Sequence, residues 1–262
     1  MRLDCPAALV VAHPGHELRV LGWLRLARPL VFVLTDGSGA TNRSRVPSTE
    51  RVLAEAGACC GSIFGRITDR EMYARLMRSD IGSFIELTEE LAAALIEHRI
   101  EYIVGDASEG YNPTHDVCRL MINAAAARVR AATGREIPNY DFALAGRSDE
   151  CSEGRQAHAM RVDLDDAMLA RKIEIARGYP EMAGEVEAAL AKLGVEAFRT
   201  ECLRRVTPAI SGDPESPPFY ETYGEQRVRS GVYAETLRFA DHIKPLALAL
   251  SRYECATAGV QQ

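Results

Sequence analysis

Short apolar runs alternate with amphipathic stretches along the first half of the chain. Ala7–Ala12 and Leu30–Thr35 are continuous apolar runs rich in β-branched residues, the pattern of strands that are buried on both faces of a parallel sheet. The same pattern predicts further strands at Ser62–Ile67, Tyr102–Gly105 and Asn139–Ala145. A succession of such strands indicates one extended, buried sheet.

Between these runs, apolar residues recur at the spacing of one helix face. The predicted helices are a segment that starts near Glu17, Thr49 to about Ala58 with Ser48 or Thr49 as its N-cap, Phe84–His98 and Asp116–Ala132. Strands that alternate with helices of this length form a mostly parallel sheet with right-handed crossovers. We therefore predict a doubly wound, Rossmann-like α/β fold, in which ligands bind at the carboxyl ends of the strands.

After the fifth predicted strand the sequence becomes polar and irregular. We predict an irregular stretch at Gly146–Val162, helices at Leu164–Gly178 and Glu181–Leu193, a Pro-rich segment at Pro208–Pro218, and a last helix that ends near Tyr253. Neither an internal repeat nor a low-complexity tract indicates a second domain. The prediction is a single domain over residues 1–262, with residues 146–262 including a C-terminal capping extension.

Composition and charge narrow the classes of function. The 262 residues are 47% hydrophobic, enough for one sizeable core, and 31 Lys and Arg against 37 Asp and Glu give a net charge of −6, which argues against nucleic acid and anionic membrane partners. No apolar stretch approaches the roughly 18–20 residues of a membrane span. The seven cysteines are scattered without CxxC spacing, and the N-terminus lacks the features of a secretory signal. We therefore expect a reduced, cytoplasmic chain.

Three histidines lie where the predicted fold gathers ligands. His13 and His16 directly follow the first strand, and His115 lies in the loop after the fourth strand. Both loops belong to the carboxyl edge of the same sheet, so their imidazoles can form an open three-ligand metal site. The remaining position would hold water, whose pKa a zinc ion lowers to about 7.

A simpler explanation exists for each of these histidines. His13 and His16 could form hydrogen bonds within a strand-to-helix turn, and His115 could serve the first turn of the next helix. The other three histidines show no such convergence, and we assign them to surface or local hydrogen bonding: His98, His158 and His242.

The same two loops resemble two motifs of the PIG-L/LmbE-like metal-dependent N-deacetylases. Val10–Glu17 reads VVAHPGHE and resembles the A-H-P-D-D-E motif of that family, and Glu109–Asp116 reads EGYNPTHD and resembles its H-P-D-H loop. Val31–Gly39, Arg51–Ala58 and Phe219–Pro245 also resemble family sequences. The resemblance spans most of the chain and implies the fold and the amide-hydrolysing activity of these enzymes.

Carried over residue by residue, the resemblance implies that His13, His16 and His115 bind the metal. His16 then replaces a metal-binding aspartate, which leaves a divalent ion its full charge and makes it a stronger Lewis acid toward its water. Gly15 replaces the aspartate that serves the family as general base. Asn112 replaces a histidine that assists the tetrahedral intermediate, and its amide can still donate a hydrogen bond to an oxyanion.

The glycine at position 15 leaves the proton acceptor open. Asp116, which we name with Asn112 as a catalytic residue, is one candidate, and Glu17 and Glu109 are others. Each also suits a structural role, since Asp116 can cap a helix or orient an imidazole and Glu17 lies in a first helical turn. If Gly15 does not make room for substrate, Gly15→Asp would restore a base and raise amide hydrolysis by roughly 10²–10⁴-fold.

The resemblance, together with the three histidines, implies a metal-dependent hydrolase that removes an N-acyl group from an amino-sugar-like metabolite, with N-acetyl as the first candidate. The expected cofactor is one divalent metal, zinc before iron, nickel or copper. Two alternatives stay open: a non-catalytic descendant that binds metal or sugar, and a three-histidine metalloenzyme of different chemistry. The expected partner is a small-molecule substrate. Assembly of the chain into a homo-oligomer is an open alternative.

The Tyr- and Gly-rich segment Phe219–Tyr233 is predicted to close one side of the pocket. Tyr111, Tyr220 and Tyr223 are the candidate aromatic contacts to a sugar, although aromatic residues in such segments also anchor loops.

Overall fold

The computed structural model describes residues 5–151, 158–206 and 216–256. Its strands are β1 (Ala7–Val11), β2 (Leu30–Thr35), β3 (Cys59–Ile67), β4 (Tyr102–Asp106), β5 (Asn139–Phe142), β6 (Met160–Asp163) and β7 (Thr200–Arg205). Its α-helices are α1 (Leu21–Ala27), α2 (Val46–Ala56), α3 (Asp69–Met77), α4 (Ile81–Glu97), α5 (Pro113–Thr133), α6 (Asp166–Arg177), α7 (Ala183–Leu193), α8 (Phe219–Arg229) and α9 (Lys244–Ala256). None of the helices described is long and apolar enough to cross a membrane.

The strands form one seven-stranded sheet in the order β3-β2-β1-β4-β5-β7-β6. The first five strands are parallel, with Val10 of β1 opposite Phe32 of β2 on one side and Gly105 of β4 on the other. The last two are antiparallel to their neighbours. The predicted mostly parallel, doubly wound α/β fold is thus confirmed.

Alternate residues of the central strands supply two separate cores. In β1, Ala8 and Val10 belong to the core beneath α4, α5 and α9, whereas Leu9 and Val11 belong to the core beneath α1, α2 and α6. All four side chains are fully buried. Burial on both faces explains why the central strands read as continuous apolar runs.

The chain reverses direction across the sheet between β1 and β4. Strands β1, β2 and β3 extend to one side, and β4 and β5 extend to the other. The loops after β1 and β4 therefore separate at the carboxyl edge and leave a crevice there, the usual ligand site of such sheets. His13 and His16 follow β1, and His115 follows β4.

Two strands near the C-terminal end differ from the prediction. The stretch predicted as irregular ends in β6, and Thr200–Arg205, for which no element was predicted, forms β7; residues 152–157 lie outside the described residues. Strand β7 was not predicted because its charged residues interrupt the apolar pattern that is typical of a buried strand. Glu201 is buried because Lys172 donates to it over 2.6 Å, and Arg204 donates to Asp141 over 2.5 Å.

The predicted cap of the second helix is wrong. Helix α2 starts at Val46, so Ser48 and Thr49 lie inside it, with Pro47 in its first turn. Both hydroxyls have other partners: Ser48 donates to Glu181 and Thr49 donates to Glu17.

Two helices were not predicted. Helix α3 begins after Thr68, whose hydroxyl accepts a hydrogen bond from the Glu71 amide and caps the first turn. Helix α8 follows Pro218 and converts most of the expected Tyr-rich loop into a helix, with Tyr220 buried and Tyr223 exposed. Most of the Pro-rich segment before α8, residues 207–215, lies outside the described residues.

Candidate active site

The three predicted histidines come together at the crevice. Their ring centroids are 5.4 Å apart for His13 and His16, 5.2 Å for His13 and His115, and 4.8 Å for His16 and His115. The rings meet edge to face, so no two of them stack. The convergence expected from two strand-end loops is therefore present in the structure.

His13 is fixed by groups from two other strand ends. Its Nδ1 lies 2.7 Å from Oγ1 of Thr35, the last residue of β2, and 3.0 Å from Oδ1 of Asp69, the first residue of α3. The Thr35 hydroxyl already donates to the Ala12 carbonyl, so its oxygen accepts from His13. Nδ1 consequently carries the proton, and in the neutral ring Nε2 carries the lone pair and is an acceptor.

The contact with His13 also sets the ionisation of Asp69. Burial by itself would raise the pKa of Asp69, but the hydrogen bond and charge of His13 outweigh burial and hold that pKa well below its usual range. The Gly39 amide donates to the second carboxylate oxygen over 2.6 Å. Asp69 is therefore an ionised acceptor that orients His13.

His16 is held by a fully buried carboxylate. Asp106, the last residue of β4, accepts from Nδ1 of His16 over 2.8 Å and from the Ala12 amide over 2.7 Å, both at Oδ2. Burial tends to lower the pKa of His16, but the charge and the hydrogen bond of Asp106, together with the charge of Glu17, outweigh burial and raise it. The pair fixes His16 with Nε2 turned away from its carboxylate, as in carboxylate–histidine–metal arrangements.

His115 differs from the other two imidazoles. It is buried in the first turn of α5, and its Nδ1 has no hydrogen-bond partner in the part of the chain that the structure describes. Burial, reinforced by the charge of His16, lowers the pKa of His115 to about 3. His115 is therefore neutral near pH 7, the protonation state in which an imidazole binds a metal.

The backbone explains the glycine at position 15. Gly15 has φ 103° and ψ −19°, a conformation that residues with a side chain rarely adopt. A Cβ placed there would lie 3.3 Å from Cγ and Sδ of Met182, the residue before α7. The related motif has an aspartate at this position. Here the thioether of Met182 borders the space that such a side chain would enter.

Glu17 stabilises this turn through hydrogen bonds. It is fully buried and accepts hydrogen bonds from the Gly15 amide and the Thr49 hydroxyl, each over 2.7 Å. Burial raises the pKa of Glu17. These contacts direct the carboxylate of Glu17 to the backbone of the turn, and its role as a proton acceptor stays a prediction.

Asp116 holds the loop that carries Asn112. Its Oδ1 accepts from the Ser108 hydroxyl over 2.9 Å and from the amides of Glu109 and Gly110, each over 3.1 Å. Burial raises the pKa of Asp116. These three hydrogen bonds go to the loop and none goes to the histidines, so the predicted catalytic role of Asp116 stays a prediction.

Asn112 connects that loop to the histidines. Its Oδ1 accepts from the Thr114 amide over 2.9 Å and caps α5, while its Nδ2 lies 3.4 Å from Nε2 of His13. The side-chain amide therefore presents a donor at the centre of the site. Glu109, the other candidate in this loop, accepts from the Leu144 amide over 2.9 Å and so faces the segment after β5.

The chemistry of these imidazoles suits a divalent ion. Three imidazoles that share one ion through bonds of about 2.0–2.1 Å would have ring centroids about 5 Å apart, close to the separations seen here. In residues 5–151, 158–206 and 216–256, however, no group of three or more His, Cys, Asp and Glu side chains is arranged so that it could hold a metal as it stands. Closure of the ligand set around an ion therefore belongs to the proposal below.

Comparison with known proteins gives matches in structure alone. No family model and no curated protein matches the sequence. The crystal structure of the A40926 pseudoaglycone deacetylase Dbv21 has a TM-score of 0.52 at 15% identity and covers 78% of this chain and 98% of its own. The zinc-inhibited form of the teicoplanin deacetylase Orf2 has a TM-score of 0.50 at 13% identity, over 79% and 100%. The fold is that of these deacetylases.

The prediction missed the groups that orient the imidazoles. Asp106 carried a usable signal, because it directly follows the predicted fourth strand at the edge where His13 and His16 lie. Thr35 also ends a predicted strand. Asp69 carried a weaker sequence signal, because it begins helix α3, which was not predicted.

Placing a carboxylate at position 15 should weaken the protein instead of restoring a base. Gly15→Asp is expected to cost about 1–3 kcal/mol of stability, because its left-handed backbone is strained by any side chain. Urea unfolding measures the loss. Gly184→Asp is the matched control, since a Cβ at Gly184 meets nothing within 4 Å. Equal stability of the two variants, with faster amide hydrolysis by Gly15→Asp, would contradict this account.

Proposed function

We propose that the chain is a metal-dependent N-deacetylase that acts on an N-acetylated amino sugar or a conjugate of one, and that it belongs with the PIG-L/LmbE-like enzymes. The observation that carries the proposal is the trio His13, His16 and His115 at the crevice of a fold shared with deacetylases. The motif resemblance in the loops after β1 and β4 supports the same activity independently of the fold.

The three imidazoles would hold one divalent ion, and zinc is the first candidate. His13 and His16 would bind through Nε2, because Asp69 and Asp106 occupy their Nδ1 atoms. When bound, the ion would supply Lewis acidity toward the amide carbonyl and toward water. His115 would bind as a neutral ring, and no proton has to be removed from it near pH 7, since burial has already lowered its pKa.

The remaining residues bind and orient the amide. The Nδ2 group of Asn112, at hydrogen-bond distance from His13, would donate to the carbonyl oxygen as negative charge develops there. The cap to the Thr114 amide fixes the orientation of that donor before substrate binds. Asp116 keeps the loop in place through its three hydrogen bonds.

Release of acetate from a panel of N-acetylated amino sugars and their glycosides tests the proposal. We expect zinc-loaded protein to release acetate from at least one member, and Asn112→Ala to lower kcat by about 10²–10³-fold, the usual effect of losing an oxyanion donor. Asn42→Ala, an exposed asparagine outside the site, is the control. Full metal loading without release of acetate from any amide would favour the non-catalytic alternative.

A further inference from the structure

An exposed aromatic stripe lies on helix α8. Phe219, Tyr223 and Arg227 are spaced four residues apart and therefore lie along one face of the helix, about 12 Å from first to last. Phe219 stacks on Tyr223 with ring centroids 5.8 Å apart, and the Arg227 guanidinium lies 5.9 Å from the centre of the Tyr223 ring. Phe219 and Tyr223 are both more than 40% exposed, which is unusual for large apolar rings without a ligand.

Both ends of the stripe connect to the residues around His13. At one end, Tyr111 stacks on Phe219 at 4.9 Å with the rings 3° from parallel, and Tyr111 precedes Asn112 in the chain. At the other end, Arg227 lies 5.7 Å from the Tyr233 ring, which contacts Tyr73.

Tyr73 in turn lies one helical turn after Asp69 on α3. Asn112 contacts Nε2 of His13, and Asp69 is one of the two residues that contact its Nδ1. The aromatic stripe therefore connects, through Tyr111 and Tyr73, to the loop that carries Asn112 and to the helix that carries Asp69.

Arg227 supplies a second, independent indication of a ligand. Its guanidinium lies 5.9 Å from the ring centre of Tyr223 and 5.7 Å from that of Tyr233, and its Nε is buried without a hydrogen-bond partner in the described part of the chain. No ion pair joins Arg227 to a carboxylate among the described residues, whereas Arg229 on the same helix pairs with Glu225 over 3.5 Å. A fork of donors without an acceptor suits an oxyanion such as a carboxylate or a phosphate.

We propose that the stripe formed by Tyr111, Phe219, Tyr223 and Arg227 is the substrate-specificity subsite of this enzyme. Because the faces of Phe219 and Tyr223 are covered by their neighbours, the stripe binds a flat ring next to the acetamido sugar through the exposed edges of these two rings. Arg227 binds an anionic group on that ring. The substrate class is thus an N-acetylated amino sugar joined to an acidic aromatic group. This inference rests on the proposed deacetylase function, since it takes the histidines as the place where the amide binds.

Three glycosides of N-acetylglucosamine separate the contributions: methyl, phenyl and 4-carboxyphenyl. By calorimetric titration of the full chain, we expect the phenyl glycoside to bind about 3- to 10-fold more tightly than the methyl glycoside, the size of one edge-to-face aromatic contact. The carboxylate should add about another tenfold, as hydrogen bonds to charged groups do.

Single substitutions assign each gain to a side chain. Phe219→Leu or Tyr223→Leu should reduce the gain from the ring, and Arg227→Gln should abolish the gain from the carboxylate. Arg229→Gln removes the same charge from the same helix and should preserve both gains. Equal affinity for the three glycosides, no binding of any of them, or equal responses of Arg227→Gln and Arg229→Gln would overturn the subsite.

The methyl glycoside separates this inference from the proposed function. It lacks the ring and the carboxylate, so release of acetate from it depends on the histidine site and not on the stripe. Acetate release without either affinity gain would overturn the subsite and leave the function standing. Both affinity gains without acetate release would support the subsite and contradict the function.

Discussion

Replacing Lys172 with methionine should lower the free energy of unfolding by about 3–5 kcal/mol, because it leaves a buried carboxylate without its counter-charge. Lys172 and Glu201 are both almost fully buried, with Nζ and Oε1 2.6 Å apart. Burial lowers the pKa of Lys172, although Glu201 opposes this shift. Urea unfolding monitored by circular dichroism measures the change.

The pair also matters to the site, because it anchors the segment that follows His16. Lys172 donates to the Arg19 carbonyl over 2.9 Å, and Glu201 accepts from the amides of Gly22 and Trp23. Lys172→Met with Glu201→Gln should regain part of the lost stability, since the second change removes the buried charge. Arg177→Met, which breaks an exposed ion pair with Glu187, should leave stability nearly unchanged. Equal losses for Lys172→Met and Arg177→Met would contradict the account.

Replacing Asp106 with asparagine should lower zinc affinity by about 10- to 100-fold, the usual cost of losing a group that orients a metal-binding histidine. Oδ2 of Asp106 joins His16 to the Ala12 amide, and Oδ1 has no hydrogen-bond partner among the described residues. Burial tends to raise the pKa of Asp106, but the charge and the hydrogen bond of His16, with smaller contributions from other neighbours, outweigh burial and lower it, so the ionised form is the one that holds the ring. Competition with a chelator of known affinity measures the change.

Asp141→Asn provides the matched control for Asp106. Asp141 is a nearly buried carboxylate on the neighbouring strand β5, and it pairs with Arg204 instead of a histidine. Its loss should reduce stability and leave zinc affinity unchanged. If Asp106→Asn bound zinc as tightly as Asp141→Asn, then Asp106 would have no part in orienting His16.

The central part of the fold was predictable because it depends on local pattern. Strands β1, β2 and β4 are buried on both faces, so their apolar runs indicated them to within about one residue. Strand β7 was not predictable in this way, because Glu201 and Arg204 are balanced by Lys172 and Asp141, which lie 29 and 63 positions away. Only the folded chain brings those charges together.

The site shows the same division between local and distant information. His13, His16 and His115 were predictable together, because strand ends of a parallel sheet share one edge. The conformation of Gly15 and its contact with Met182 were not, since both depend on how α7 packs over the first loop. For that reason the sequence suggested a missing carboxylate where the structure has a turn that glycine adopts without strain and other residues do not.

Zinc content of the purified full-length chain tests the central claim most directly. After equilibrium dialysis against zinc, we expect near one equivalent per chain, and a sharp loss in each of His13→Ala, His16→Ala and His115→Ala. The exposed histidines provide the controls, and His98→Ala and His158→Ala should keep the wild-type content. Unchanged zinc content in all three site variants would contradict a metal centre built on these histidines.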